Sequence, residues 1–133
     1  MNWKGTGESM DKQKQECFVA FLKERVEVCK QEEKKLLADG RKDEANFEKI
    51  RGNIYEVFQT VFGVAVRTEG EKVDGIERFF QNRIETIPAG WRQSYEKAMQ
   101  HDDAVKMQIE TIKLDVVEEI KEMFEQIFQG EVA

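Results

Sequence analysis

The sequence predicts an all-α protein, an up-and-down antiparallel bundle of four main helices plus a short fifth segment. Of its 133 residues, 36% are charged and 40% are hydrophobic, with nine glycines and one proline. This composition is too apolar for a disordered chain and too poor in turn-forming residues for a protein of many short strands. Apolar residues also recur at steps of three and four, the spacing of amphipathic helices. We expect a flexible N-terminal arm over residues 1–8 and a single helical-bundle domain over residues 9–133.

The first helix is expected to begin after Ser9 or Asp11, because either side chain can cap a helix N-terminus. We expect it to end at Gly40, since glycine readily adopts the left-handed conformation that follows many helices. Its core-facing stripe consists of Phe18, Phe21, Leu22, Cys29 and Leu36. Arg25 and Glu32 fall on the same face, so charged residues interrupt the apolar stripe in its middle.

The second helix has the most regular apolar spacing in the chain. Its stripe, at alternating steps of three and four, consists of Phe47, Ile50, Ile54, Val57, Val61 and Val64. This spacing predicts a seam that faces a neighbouring helix. The end of the helix, Val61–Thr68, is rich in β-branched residues and is also compatible with a short strand. We favour the helix, because a lone strand would have no partner for its backbone groups.

A polar turn at residues 69–71 separates the second helix from a third. Apolar residues on one side of this third helix are Val73, Ile76, Phe80, Ile84 and Ile87. Pro88 is expected to stop it, because proline removes a backbone donor and crowds the preceding turn. The short segment from Trp91 to Gln100 also has helical spacing. It is interpreted either as a separate fourth helix or as a continuation of the third helix beyond a kink.

The last helix is predicted to be capped by Asp102 or Asp103 and closed by Gly130. Its main apolar stripe consists of Val105, Ile109, Ile112, Val116, Ile120, Met123 and Ile127. A second group widens the apolar arc beyond what one neighbour covers, namely Val117, Phe124 and Phe128. This helix should therefore pack between at least two other helices or across a subunit boundary, and these three residues are candidate interface residues.

The charge distribution excludes several classes of partner. The chain carries a net charge of −6, and residues 101–133 hold the whole excess, with three basic and nine acidic side chains. No run of clustered Lys and Arg provides the footprint that nucleic acids or anionic membranes require. The longest uncharged run, Val57–Val66, is far shorter than the roughly 20 apolar residues of a membrane-spanning helix. We expect no nucleic-acid or membrane partner.

The sequence contains no recognisable catalytic or metal-binding motif. Its one histidine, His101, precedes two aspartates at a helix start, where neighbouring side chains diverge. Neither Ser9 nor Ser94 lies in a context that activates a nucleophile, and the glycines lack phosphate-binding spacing. The two cysteines form no disulfide framework, and no apolar leader opens the chain. We therefore predict a cytoplasmic protein that is not an enzyme and uses no cofactor or metal.

Two functions remain compatible with this sequence. The first is a non-enzymatic interaction or self-association module, with a protein partner or a second copy in a homodimer covering the last helix. The second is a sensor for a small anionic or amphipathic ligand, because Arg25, Glu32 and Arg83 lie on core-facing stripes. These charged side chains either pair across helices or line an internal cleft, with Trp91 and Tyr95 at its mouth.

Overall fold

The computed structural model describes the backbone of residues 3–70 and 72–129, and side chains from residue 11 onward within those ranges. Four helices account for nearly all of it: α1 (Trp3–Ala38), α2 (Lys42–Glu69), α3 (Val73–Gln100) and α4 (Ala104–Phe128). No strand occurs in these two ranges. The all-α prediction is confirmed, and the β-branched segment Val61–Thr68 is the last part of α2 and not a strand.

The prediction that Pro88 stops the third helix is wrong. One helix, α3, runs through Pro88 to Gln100, so the short fifth segment from Trp91 is its C-terminal part. A proline inside a helix removes one hydrogen bond and crowds the carbonyl four residues before it. Ile84 and Ala98, on either side of Pro88, are both buried. Ending the helix at Pro88 would expose this apolar surface, and tertiary packing overrides the local preference.

The first helix begins earlier than predicted. The backbone is already helical at Trp3, before the expected caps Ser9 and Asp11. The helical backbone from Trp3 overlaps the predicted arm over residues 1–8, whose flexibility stays a prediction, and residues 1 and 2 lie outside the described ranges. Gly130, expected to close the last helix, also lies outside them.

The turn between α1 and α2 uses a left-handed glycine as predicted. Gly40 has a φ of 75°, and its N–H donates to the Leu37 carbonyl at 3.0 Å. The Arg41 N–H donates to the Leu36 carbonyl at 2.8 Å. These two bonds make a Schellman motif, which satisfies carbonyl groups that the end of a helix leaves without partners.

The turn between α3 and α4 has the same geometry without a glycine. Asp102 has a φ of 56°, and its N–H donates to the Met99 carbonyl at 3.3 Å. The Asp103 N–H donates to the Ala98 carbonyl at 2.8 Å. The Asp103 side chain then accepts a hydrogen bond from the Lys106 N–H at 3.1 Å, which confirms Asp103 as the cap of α4.

The helices pack unequally. The most extensive contact is between α1 and α2, followed by α3 with α4. Helices α2 and α4 each contact all three other helices, whereas α1 and α3 barely touch. The wide apolar arc of α4 is thus covered by several helices of the same chain, which is one of the two arrangements predicted for it.

Six phenylalanine rings from all four helices form the centre of the core, here called the phenylalanine cluster. Its members are Phe18, Phe58, Phe62, Phe80, Phe124 and Phe128. The fully buried Phe18 ring lies edge-on to its neighbours, with centroid distances of 5.0 Å to Phe62 and 5.3 Å to both Phe80 and Phe124. Edge-to-face contacts at such distances are favourable beyond the burial of area.

The predicted seam of α2 does not face the centre of the protein. Of its six residues only Ile54 is buried, and Val57 is 38% exposed. The buried face instead carries Tyr55, Phe58 and Phe62. Because α2 contacts three helices, its apolar arc is wide, and the largest side chains take the centre while the regular aliphatic stripe lies on a flank.

The two matching turns generate a stability prediction. Asp102→Gly should raise the free energy of unfolding by about 0.5 to 1 kcal/mol, because glycine adopts a positive φ without the steric cost of a Cβ atom. Gly40→Ala should lower it by about 1 kcal/mol for the opposite reason. Urea unfolding of both variants measures these changes, and a loss of stability in Asp102→Gly would contradict the assigned turn geometry.

Candidate binding groove

Arg25, one of the predicted ligand-binding residues, is engaged by protein groups. Its Nη2 atom lies 2.9 Å from the Glu119 Oε2 atom, and its guanidinium carbon lies 5.4 Å from the centroid of the Phe21 ring. The Tyr55 hydroxyl donates to the other oxygen of the same Glu119 carboxylate. Glu119 therefore joins α1, α2 and α4 through one polar network at the edge of the core. Of the alternatives left open for Arg25, an ion pair across helices is the one observed.

The other predicted ligand-binding residues lie apart from Arg25. The exposed Arg83 guanidinium lies 4.5 Å from the centroid of the Phe79 ring, on a helix that barely touches α1. Trp91 and Tyr95 are half-buried on the same helix, and the Lys113 Nζ atom lies 5.6 Å from the Trp91 ring centroid. These side chains are engaged at separate places on the bundle, which corrects the expectation of one internal cleft around the arginines.

Glu32 is exposed and lines a charged cavity of about 390 Å³ near the turn between α1 and α2. The cavity is also lined by Arg51 and Glu48, whose Nε and Oε2 atoms are 3.4 Å apart, and by Arg41 and Glu44, which form a second pair. Both arginines thus have carboxylate partners. Neither Arg25 nor Arg83 lines this cavity.

The predicted interface residues of the last helix are covered within the chain. Val117, Phe124 and Phe128 are 5%, 1% and 8% exposed, and the two phenylalanines belong to the phenylalanine cluster. This corrects the expectation that a partner covers them. The second apolar flank of α4 is occupied by other helices of the same chain.

Burial controls the chemistry of two ionisable groups on α1 and α2. Burial is the largest cause that raises the pKa of Cys29 to about 11, and the nearby Glu48 carboxylate is the second. Burial also raises the pKa of Tyr55 well above its usual range, with the hydrogen bond to Glu119 as the second cause. Cys29 is a protonated, unreactive thiol at neutral pH. The second cysteine, Cys17, is exposed, so the two thiols are not equivalent.

One carboxylate is buried without full pairing. Glu110 on α4 is 4% exposed, its Oε2 atom lies 3.4 Å from the Lys113 Nζ atom, and its Oε1 atom has no hydrogen-bond partner within the described part of the chain. A buried oxygen in this state costs stability.

An apolar groove of about 480 Å³ runs between α1 and the C-terminal half of α2. Its lining residues are Lys12, Gln15, Glu16, Val19, Ala20, Lys23, Phe62, Gly63 and Val66. Val19 and Val66 are half-buried and pack against the core, and Phe62 belongs to the phenylalanine cluster. The groove thus has an apolar floor that rests directly on the most tightly packed part of the protein.

Small residues keep this groove open. Ala20 on α1 has a small side chain and Gly63 on α2 has none, so little side-chain volume fills the groove at these positions. A Cβ atom placed on Gly63 would meet only the Arg67 Nη1 atom, at 3.6 Å, so this position has room for a side chain. No role was predicted for these residues from the sequence. Ala20 follows Val19 and Gly63 lies one turn before Val66, but only the packing of α1 on α2 shows that they share a groove.

The rim of the groove is basic. Lys12 and Lys23 lie on the α1 side, and Arg67 lies beside Gly63 on the α2 side. Within the described side chains, none of these three cations has a carboxylate within 4.0 Å. Glu16 is the one acidic residue among the lining residues. The groove therefore combines an apolar floor with a net positive rim on a chain whose net charge is −6.

Two further observations concern metals and membranes. Over the described ranges, no three His, Cys, Asp or Glu side chains come close enough together to hold a metal ion. Within the same residues, no helix is both long enough and apolar enough to cross a lipid bilayer.

Comparison of the chain with protein-family models, with curated proteins and with solved structures finds no match.

The Tyr55 hydroxyl provides a test of the polar network. Tyr55→Phe should lower the free energy of unfolding by about 1 to 2 kcal/mol near neutral pH, because a hydrogen bond to a charged carboxylate is lost. The pKa of Tyr55 is higher in the folded protein than in the unfolded chain. Its stabilising effect is therefore complete below about pH 10 and is lost as the pH rises further. The difference between the two proteins should narrow above about pH 10.

Urea unfolding from pH 7 to pH 11 measures both effects, and Tyr95→Phe is the matched control on α3. Tyr95 is half-buried, and no side-chain hydrogen bond from its hydroxyl is seen in the described residues. Its substitution should cost less at neutral pH. Equal losses for the two variants would contradict the network.

Proposed function

We propose that this chain is a non-enzymatic cytoplasmic interaction module, built as an up-and-down antiparallel bundle, that binds a helix of a partner protein between α1 and α2. The single observation that carries the proposal is the apolar groove over the phenylalanine cluster. It is an exposed concave surface whose floor consists of core residues, and recognition of an amphipathic helix requires such a surface.

The shape of the groove suits a helix better than a flat contact. Two packed helices present a trough, and a third helix can lie in it with its apolar side chains between theirs. Ala20 and Gly63 line the walls, and small residues at such positions permit a close approach of the incoming backbone. Val19, Phe62 and Val66 then supply the apolar contacts. Because these residues are held by the core, binding requires little ordering of the free protein.

Two mechanisms expected from the sequence depend on residues that are buried or paired within the chain. Self-association through α4 is not proposed, since Val117, Phe124 and Phe128 are buried within the chain. Ligand binding by interior arginines is not proposed either, since Arg25 pairs with Glu119 and Arg83 stacks on Phe79. We therefore still propose an interaction function, with its binding surface on α1 and α2.

Photo-crosslinking in cells that produce this chain tests the proposal. A benzophenone amino acid replaces either Gln15, which lines the groove, or Gln13, which is exposed and does not line it. We expect a discrete crosslinked product with a second protein at position 15 and none at position 13. Equal products at both positions, or no product at position 15, would contradict the proposal.

A second variant makes the same test specific to the groove. Gly63→Gln places a neutral side chain in the groove, and the crosslink at position 15 should then disappear. The control is Thr60→Gln, an exposed position one turn earlier on α2 that does not line the groove. Urea unfolding should show that both variants stay folded, and persistence of the crosslink in Gly63→Gln would assign it to another surface.

A further inference from the structure

We infer that the occupant of the groove is an acidic amphipathic helix of another protein, with apolar residues on one face and Asp or Glu on both flanks. This inference rests on the proposed function and adds the chemistry of the partner. It follows from three features of the molecule. Basic residues lie at the rim of the groove, the exposed face of α4 is acidic, and large apolar residues of α4, such as Ile120 and Phe124, are buried, so α4 of a second copy does not fit the groove.

The basic residues follow the length of the groove. Lys12 and Lys23 are eleven residues apart on α1, which is three helical turns, so they lie on the same face about 16 Å apart. Arg67 stands on the opposite wall beside Gly63. A helix of about three turns in the groove therefore has cations along both of its flanks. Carboxylates at those flanking positions would pair with them at the rim, where exposed ion pairs contribute modestly and set orientation.

The one acidic residue of the lining does not reverse this arrangement. Glu16 is one turn from Lys12 on α1, and these two charges offset each other. Lys23 and Arg67 remain as the excess. A basic helix would meet repulsion from Lys23 and Arg67 on the two walls, whereas among the described lining residues an acidic helix would meet it at Glu16.

The acidic outer face of α4 disfavours binding of an acidic partner there. The exposed residues of α4 include four carboxylates, Asp115, Glu118, Glu122 and Glu125. An acidic helix is repelled there and attracted to the groove, so the acidic face of α4 contributes to selectivity.

A second copy of this chain does not supply the required helix through α4. That helix has an acidic outer face, but the apolar residues that could fill the groove are buried in its own core, including Ile120 and Phe124. Docking α4 of another copy would place carboxylates without apolar anchors over the floor of the groove. This argues against a second copy docking through α4, and the partner we infer is a different protein that presents both features on one helix.

Three synthetic peptides test the charge of the partner with the full chain. They share the same Leu and Phe positions on one face, at steps of three and four, and carry Glu, Gln or Lys at the flanking positions. We expect the Glu peptide to bind about tenfold more tightly than the Gln peptide at low salt, and the Lys peptide most weakly. The advantage of the Glu peptide should shrink at high salt, because exposed charges are screened. Fluorescence anisotropy measures all three affinities.

A pair of double variants assigns the effect to the rim. Lys12→Gln with Lys23→Gln should weaken the Glu peptide roughly fivefold and leave the Gln peptide unchanged. The matched control is Lys34→Gln with Lys49→Gln, which changes the net charge equally at exposed residues that do not line the groove. This control should change the affinity for the Glu peptide by less than about twofold, since the effect is then only long-range and screened.

The outcomes separate the inference from the proposed function. If the Gln or Lys peptide binds as well as the Glu peptide and Gly63→Gln abolishes binding, the groove binds helices but the inferred charge is wrong. The inference is also wrong if the two double lysine variants weaken binding equally. If no peptide binds, or if Gly63→Gln does not abolish the binding that is seen, both the inference and the proposed function are wrong. Tighter binding to phosphatidylglycerol vesicles than to the Glu peptide would assign the groove to a membrane surface and overturn the inference.

Discussion

The phenylalanine cluster is the constraint on which the rest of the structure depends. Its rings come from all four helices, and the fully buried Phe18 ring contacts rings from α2, α3 and α4. Helices α1 and α3 barely touch, so this ring is one of the few groups that link them, with a centroid distance of 5.3 Å to Phe80. The four helices are positioned so that these rings are buried together, with Phe18 edge-on to its neighbours.

The candidate groove is a consequence of the same packing. Phe62 contacts Phe18 and Phe80 inside the cluster and also lines the groove. Small residues beside it leave the outer side of the α1–α2 contact uncovered, while the cluster keeps the floor in place. Charged residues near the turn between α1 and α2 instead pair with one another, as Glu48 does with Arg51. The groove differs from that charged cavity because it has an apolar surface on the core, and its rim cations have no carboxylate within 4.0 Å among the described side chains.

Periodicity predicted the all-helical class and most core-facing residues of α1, α3 and α4, but not those of α2. The all-α class, the glycine turn at Gly40 and the Asp103 cap depend on local chemistry, and the sequence contains that chemistry. The aliphatic stripe of α2 was misplaced because a helix with three neighbours has several apolar faces, and spacing alone does not rank them. Pro88 was misjudged because the burial of Ile84 and Ala98 outweighs a local preference. The groove could not be predicted, since its walls come from two helices whose alignment only packing sets.

The most direct test of the central claim locates the bound peptide by nuclear Overhauser effects in the full chain with methyl-labelled valines. With the Glu peptide, we predict contacts from its apolar residues to the methyl groups of Val19 and Val66. Val57 and Val105, two exposed valines that do not line the groove, should show none. Contacts to Val57 or Val105 without contacts to Val19 and Val66 would contradict the claim that the groove over the phenylalanine cluster is the binding surface.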